Sequence, residues 1–182
     1  LELISLASKQ EQPRILELGA GSGCIVIAAA VNLPQGEFTA VDIIPDALEI
    51  ARANAEAHEV SSRITFLEGD LFEAHADESQ YDFIVSNPPY IPDGEIAGLE
   101  ADVRDHEPHL ALAGGEDGLD VIRRILDGAG ARLKSGGFLL LEIGEEQGNV
   151  LPELIAARGD YETCRIVTDL AQRPRVAVAQ RK

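Results

Sequence analysis

The chain has 182 residues, of which 45% are hydrophobic, and its 15 Lys and Arg against 32 Asp and Glu give a formal net charge of −17. This balance excludes a disordered chain, and one domain of this length can bury a full core. No apolar run reaches the roughly 18 residues of a membrane span, and the acidic charge disfavours nucleic-acid binding, which normally requires a basic face.

Apolar runs alternate with longer segments of helical periodicity, the pattern of a mostly parallel sheet with helices on both faces. The predicted elements are, in chain order, strand 14–18, helix 23–32, strand 37–42, helix 45–58, strands 63–69 and 81–86, an irregular stretch 87–115, helix 118–133, strand 137–143, helix 147–157, and strands 161–168 and 175–179. The last two strands predict an antiparallel hairpin at the edge of a seven-stranded sheet.

The two cysteines, Cys24 and Cys164, lie far apart in apolar stretches and form no C-x-x-C pair. This usage disfavours zinc and a disulfide framework and is typical of reduced thiols in a cytoplasmic protein, for which we predict no metal. Because the chain begins with Leu and contains no Met, we expect a fragment, with residues 1–12 as the end of a helix or linker from a missing upstream domain.

The first strand is followed by a glycine-rich turn, Glu17-Leu18-Gly19-Ala20-Gly21-Ser22-Gly23, at the start of a predicted helix. Glycines permit a tight turn with positive φ and let a ligand approach the backbone closely. The carboxylate of Glu17 would repel a phosphate but attract a cationic group such as an ammonium or a sulfonium. Taken alone, the motif fits a purely structural turn equally well.

The second strand ends at Asp42, 23 positions after Gly19 and directly before Ile43. An acidic side chain at this place can accept hydrogen bonds from both hydroxyls of a ribose, although a solvated turn carboxylate is the simpler alternative. Combined with the glycine-rich turn, it indicates a nucleoside without phosphates and with a positively charged tail. S-adenosylmethionine is such a molecule.

The third strand ends in Gly69-Asp70-Leu71. Asp70 could accept a hydrogen bond from an adenine amino group, while the backbone N–H of Leu71 faces a ring nitrogen and its side chain covers the ring. The alternative is a helix-capping Asp after a strand.

The fourth strand is followed by Asn87-Pro88-Pro89-Tyr90, the most specific motif in the chain. Ligands of open α/β sheets bind at the carboxyl ends of the strands, where this motif falls. Because proline has no N–H, the backbone here offers mostly carbonyl acceptors. Asn87 Oδ1 and the Pro88 carbonyl could therefore accept both hydrogens of a planar NH₂ group, with Tyr90 against its flat face. A rigid turn is the alternative.

Together these motifs resemble the class I S-adenosylmethionine-dependent methyltransferases, and specifically the HemK/PrmC family of protein-glutamine N5-methyltransferases. The resemblance runs from about residue 14 to the C-terminus and includes segments 107–108, 110–112, 114–119, 136–144 and 169–176. It implies a Rossmann-like α/β fold and a catalytic domain at 13–182.

The resemblance also implies a set of functional residues. The predicted S-adenosylmethionine contacts are Glu17, Gly19, Ala20, Gly21, Ser22, Gly23, Asp42, Ile43, Asp70, Leu71 and Asn87. Asn87, Pro88, Pro89 and Tyr90 would be catalytic and would hold the glutamine of the Gly-Gly-Gln loop of a peptide chain release factor, with Glu107 in the substrate loop. We expect a monomer that contacts neither membrane nor nucleic acid.

Two departures from the family pattern affect these expectations. Ile44 stands where family members usually carry a helix-capping Ser, so we expect weaker capping, with Pro45 at the helix start preserving the turn. The family's N-terminal helical domain, which docks the release factor, is absent from the sequence, so recognition of the protein substrate should weaken while cofactor binding survives. Two alternatives stay open: methylation of adenine N6 in nucleic acid, and a non-enzymatic adenosyl-binding module.

Overall fold

The computed structural model describes residues 1–74, 80–106 and 108–182, which form an α/β domain around one mixed sheet. The strands are β1 (Arg14–Leu18), β2 (Glu37–Asp42), β3 (Ile64–Glu68), β4 (Tyr81–Ser86), β5 (Leu133–Glu142), β6 (Tyr161–Thr168) and β7 (Pro174–Arg181). The helices are α1 (Glu2–Ala7), α2 (Cys24–Asn32), α3 (Pro45–Ala57), α4 (Ala101–His106), α5 (His109–Leu112), α6 (Asp120–Arg132) and α7 (Leu151–Arg158).

The sheet has the order β3-β2-β1-β4-β5-β7-β6. The first five strands pair in parallel, whereas β7 is antiparallel to both β5 and β6. The prediction of a mostly parallel sheet with an antiparallel edge hairpin is therefore confirmed. Because the chain passes from β1 to β2 and β3 on one side and to β4 and β5 on the other, strand order reverses beside β1.

Both faces of the central strands are buried, which explains their continuous apolar runs. In β1, Leu16 belongs to one core cluster and Ile15 to the other, and in β4 Ile84 and Phe83 divide in the same way. The first cluster also takes side chains from α6 and α7, and the second takes them from α1, α2 and α3. Helices thus cover both faces, as predicted.

The predicted start of the fifth strand is wrong by four residues, since β5 begins at Leu133 and not at residue 137. Leu133 pairs with Tyr81 and Phe138 pairs with Phe83, so the register shifts between the two pairs. Gly136 supplies the positive φ of +78° in this irregularity. Residues added by a bulge do not follow the alternating apolar pattern of a strand. Because the Lys-Ser-Gly-Gly stretch also has the composition of a turn, the sequence did not identify it as part of β5.

The predicted irregular stretch 87–115 contains more structure than expected, namely α4, α5 and a short 3₁₀ turn at Ile96–Gly98. Its two ends pair with each other: Ile91 N–H donates to Leu112 O at 3.1 Å, and Gly114 N–H donates to Ile91 O at 2.8 Å. The stretch is therefore a long loop whose two ends meet beside the end of β4. Among the helices of the described residues, none is long and apolar enough to cross a membrane.

Candidate functional site

A cavity of about 490 Å³ opens at the carboxyl ends of β1 to β4. This volume lies in the range of small-molecule sites, and its position is the strand-order reversal where open α/β sheets bind ligands. Ten residues predicted to be functional line it: Gly19, Gly21, Ser22, Asp42, Ile43, Asp70, Leu71, Asn87, Pro88 and Pro89. Four motifs separated in sequence therefore meet in one place.

The glycine-rich turn has positive φ at all three glycines, +69° at Gly19, +54° at Gly21 and +83° at Gly23. A Cβ at Gly23 would lie 2.9 Å from Ile27 Cδ1, so a side chain there would require Ile27 on α2 to shift. A Cβ at Gly19 or Gly21 would meet no atom within 4 Å. These two glycines therefore leave open space above the backbone, which a ligand can approach closely.

Asp42 is buried at the end of β2 and fixes the glycine-rich turn. Its Oδ2 accepts the Gly21 N–H at 2.7 Å, and its Oδ1 accepts the Ile44 N–H at 2.8 Å. Each carboxylate oxygen has a second lone pair, so both can still accept from a ligand hydroxyl. Ile44 gives α3 no side-chain cap and Pro45 opens the helix, as expected.

Glu17 lies under the turn, with 1% of its surface exposed, and does not line the cavity. Its Oε2 accepts the backbone N–H of Val26 at 2.9 Å. Burial raises the pKa of Glu17 to about 8; the Val26 hydrogen bond opposes this shift and the charge of Asp42 adds to it. Ala20 and Gly23 are buried as well and are absent from the cavity wall.

The turn after β3 carries backbone strain at the cavity wall. Leu71 has φ +50°, which a bulky residue rarely adopts, and a Cβ at Gly69 would lie 2.6 Å from Ala74 Cβ. The carboxylate of Asp70 accepts from Arg124 Nη2 at 2.8 Å, and no N–H of the described backbone donates to it. The helix-capping alternative for Asp70 is therefore not realised.

The corner after β4 presents Asn87 at the cavity, exposed, with Pro88 buried behind it. Ser86 anchors this corner, since its Oγ donates to Leu18 O at 2.7 Å and ties β4 to β1. Within the described residues, the side-chain amide of Asn87 makes no hydrogen bond. Asn87 Oδ1, one of the two acceptors predicted for a planar NH₂ group, therefore lies at the cavity wall with no hydrogen-bond partner among the described residues.

Tyr90 does not line the cavity but packs against the core beside Gly144. Its carbonyl accepts a hydrogen bond from Gln147 Nε2 at 3.3 Å. Glu107 lies outside the described residues, so its assignment to the substrate loop stays a prediction.

Two residues that were not identified from the sequence contact the site, one from behind the cavity wall and one within it. Gln147 is buried, and besides Tyr90 O its Nε2 donates to Gly118 O at 2.8 Å, while its Oε1 accepts the Gly144 N–H at 3.0 Å. Arg124 on α6 lines the cavity through its contact with Asp70. Neither residue carries a local signal, because each acts through contacts with segments distant in sequence.

Comparison with known proteins assigns the chain to a family. The family described as "Methyltransferase small domain" matches residues 2–101, more than half of the chain. The chain belongs to this family. With the sheet order above, it has the class I S-adenosylmethionine-dependent methyltransferase fold.

Curated relatives of this methyltransferase domain agree closely in sequence. The release factor glutamine methyltransferase of Moorella thermoacetica is 44% identical over 172 residues, which is 94% of this chain and 60% of that protein. The ribosomal protein uL3 glutamine methyltransferase of Bordetella pertussis is 46% identical over 134 residues, 74% of this chain and 44% of that protein. The domain spans 44% to 63% of the length of the curated relatives it matches.

Solved structures share the fold. TrmN from Thermus thermophilus superposes with a TM-score of 0.66 at 26% identity, covering 100% of this chain and 47% of that one. An RNA methyltransferase from Salinibacter ruber, in complex with S-adenosyl-L-homocysteine, superposes with a TM-score of 0.60 at 20% identity, covering 98% of this chain and 87% of that one.

Proposed function

We propose that this domain is a protein-glutamine N5-methyltransferase that uses S-adenosylmethionine to methylate the glutamine of the Gly-Gly-Gln loop of a peptide chain release factor. The observation that carries the proposal is the corner after β4, where the Asn87 amide faces the cavity without a described protein partner, next to the wall that holds Asp42. A site for a planar nitrogen thus adjoins a site for a nucleoside.

The cavity wall fits the cofactor on three counts. Gly19 and Gly21 leave open space above their backbone, which suits the close approach of a flexible tail. Asp42 is a buried acceptor with lone pairs left for ribose hydroxyls. Ile43 and Leu71 give an apolar wall for a base, with the Asp70 carboxylate at its edge.

S-adenosylmethionine would supply an electrophilic methyl group on a sulfonium. The task of the protein is to fix an amide nitrogen, a poor nucleophile because its lone pair is delocalised into the carbonyl. Asn87 Oδ1 and the Pro88 carbonyl accept its two N–H groups, which orients the nitrogen and raises its electron density. Such positioning can lower a barrier by about 7–11 kcal/mol. The reaction requires no strong general base, because the methylated nitrogen sheds its proton readily.

The names of the relatives support a glutamine in a protein as the acceptor. The Moorella thermoacetica relative is named for release factors and the Bordetella pertussis relative for ribosomal protein uL3. Ribosomal protein uL3 is therefore a second candidate substrate. Adenine N6 is not favoured, since a net charge of −17 opposes binding to the phosphates of nucleic acid.

The test incubates the chain with S-adenosylmethionine labelled in the methyl group and, separately, a release factor, ribosomal protein uL3, and DNA or RNA. Mass spectrometry then locates the label. The proposal predicts label on the Gly-Gly-Gln glutamine, with none when Asn87→Ala replaces the wild type. Label on uL3 would select the second candidate and label on a base would replace the proposal. No label even at saturating concentrations of the protein substrates, with cofactor bound, would favour the binding module.

The domain assignment also stays a proposal. Leu3 and Ala7 of α1 pack against the core on the α2 face, while residues 8–12 lead into β1 without a helix or strand. We take residues 1–12 as the connection to an upstream domain and 13–182 as the catalytic unit. Monomeric state and cytoplasmic location are predictions, the first testable by light scattering.

A further inference from the structure

Among the described residues that line the cavity, Arg124 is the one cation. It projects from α6, and its Nη2 lies 2.8 Å from Asp70 Oδ2 on the turn after β3. The two residues are 54 positions apart in sequence, so the contact joins two separate walls of the site.

This ion pair contributes little to folding. The side chains of Arg124 and Asp70 are 49% and 35% exposed, and pairs of such exposure are screened by solvent. The contact does constrain Asp70, which belongs to the strained turn with Leu71. It also raises the pKa of Arg124, chiefly through the hydrogen bond to Asp70. The interaction therefore affects the geometry of the cavity more than the stability of the fold.

The free oxygen of Asp70 is the consequence of this contact. Arg124 donates to Oδ2, whereas within the described residues no group donates to Oδ1, which therefore keeps both of its lone pairs. The contact with Arg124 restricts rotation of the carboxylate, so Oδ1 is the acceptor that this wall offers to a ligand. A 6-amino purine offers a donor to that acceptor, whereas a 6-oxo purine presents lone pairs that the carboxylate repels.

We infer that Arg124 is a positioning residue that makes the cavity select a 6-amino over a 6-oxo purine by fixing the orientation of Asp70. The inference rests on the proposed function, since it concerns the base of the proposed cofactor. An alternative is that Arg124 itself binds an anionic ligand, but its contact with Asp70 already neutralises the charge that would attract one.

The test compares binding of S-adenosylhomocysteine and its deaminated 6-oxo analogue, S-inosylhomocysteine, by calorimetry. The ratio of the two dissociation constants is measured for wild type, Arg124→Met, Asp70→Asn and the double variant. Because each ratio is taken within one variant, a partly unfolded sample affects both constants equally. Arg123→Met is the matched control: it removes the same charge one position away, and Arg123 pairs with Asp117 and Asp120 outside the cavity wall.

In the wild type we expect a preference for the adenosyl ligand of roughly 10- to 150-fold, the range of a hydrogen bond to a charged group. Arg124→Met should reduce this ratio by roughly threefold or more, within the coupling range of contacting residues. In the Asp70→Asn background the sign reverses. There Arg124 holds the amide oxygen and turns the amide NH₂ toward the base, which favours the 6-oxo ring, so removing Arg124 should restore part of the adenosyl preference.

Opposite movements of the ratio in the two backgrounds, with no change in Arg123→Met, would support the inference. Any result in which the two ratios do not move in opposite directions would overturn it, because a merely structural role shifts both ligands together. If the wild type binds neither ligand, the proposed cofactor site itself fails, and that outcome is distinct from a site that binds the adenosyl ligand with unaltered selectivity.

Discussion

Gln147 forms hydrogen bonds to three segments at the carboxyl edge of the sheet. Its replacement by Leu tests how much these hydrogen bonds stabilise that edge. Its side chain contacts Tyr90 O in the segment after β4, Gly118 O in the segment before α6 and the Gly144 N–H in the segment after β5. Leu is close to Gln in size, so Gln147→Leu removes the polar atoms without opening a large cavity. The change isolates the hydrogen bonds.

The loss of unfolding free energy can be estimated from those contacts. The Gly118 contact at 2.8 Å and the Gly144 contact at 3.0 Å are well formed, while the Tyr90 contact at 3.3 Å is weak. Each net hydrogen bond contributes about 0.5–1.5 kcal/mol, and the buried Gly118 carbonyl left unpaired adds its own cost. We expect the free energy of unfolding to fall by about 2–4 kcal/mol. In a domain of this size each kcal/mol lowers the Tm by roughly 2–4 °C.

The assay combines urea unfolding with cofactor binding and methyl transfer at saturating substrate. Gln147 does not line the cavity, so Gln147→Leu should leave cofactor affinity nearly unchanged and lower kcat, because the corner carrying Asn87 loses its support through Tyr90. Gln180→Leu is the control: its exposed side-chain hydrogen bond to Gly136 O at 3.2 Å lies at the other end of β5. The resulting loss of unfolding free energy should stay within about 0.5 kcal/mol. A variant at position 147 as stable and as active as the control would refute the reasoning.

Three further predictions concern residues of the cavity and the turn beneath it. Asn87→Ala should abolish transfer yet keep most of the cofactor affinity, since Asn87 acts on the reacting amide; turnover like that of the wild type would disprove its assignment. Asp42→Ala should weaken cofactor binding by about 1.5–3 kcal/mol, the range for bonds to a charged acceptor, and calorimetry without such a loss would place the ribose elsewhere. Burial raises the pKa of Glu17 from 4.5 to about 8, so the folded state retains a proton that the unfolded state releases. Its contribution to stability is therefore complete below about pH 4.5 and is lost as the pH rises to about 8. Glu17→Gln, which can still accept from Val26, should gain stability relative to wild type between pH 5 and pH 8, on the order of a few kcal/mol; urea unfolding with a constant difference across that range would contradict this.

Strand boundaries could be predicted from the sequence where turn-forming residues flank an apolar run. The predicted limits of β1, β2, β4 and β6 agree with the structure. The start of β5 did not follow, because its bulge beside Tyr81 is a property of the pairing of two strands. The short helices between Asn87 and Gly115 were not predicted for a related reason: the two ends of this stretch are joined by a contact between Ile91 and Leu112, which no local pattern contains.

The residues of the candidate site likewise fall into those that a local motif identifies correctly and those that it does not. Motifs that must present backbone or acceptor groups to a ligand carry a local composition, so Gly19, Asp42 and Asn87 could be singled out and all three line one cavity. Glu17 shows the limit of that reasoning. Its position in the motif suggested a ligand contact, whereas the structure directs its carboxyl to the Val26 N–H under the turn.

Arg124 and Gln147 have in common that they act on the motifs from outside them. Arg124 lies on α6 and orients Asp70, and Gln147 follows β5 and supports the carbonyl of Tyr90. A local motif indicates which atoms face a ligand, but the orientation of those atoms depends on helices and strands that arrive later in the chain. Two chains with identical motifs can therefore differ in selectivity and rate, and positions 124 and 147 are where such differences should first be sought.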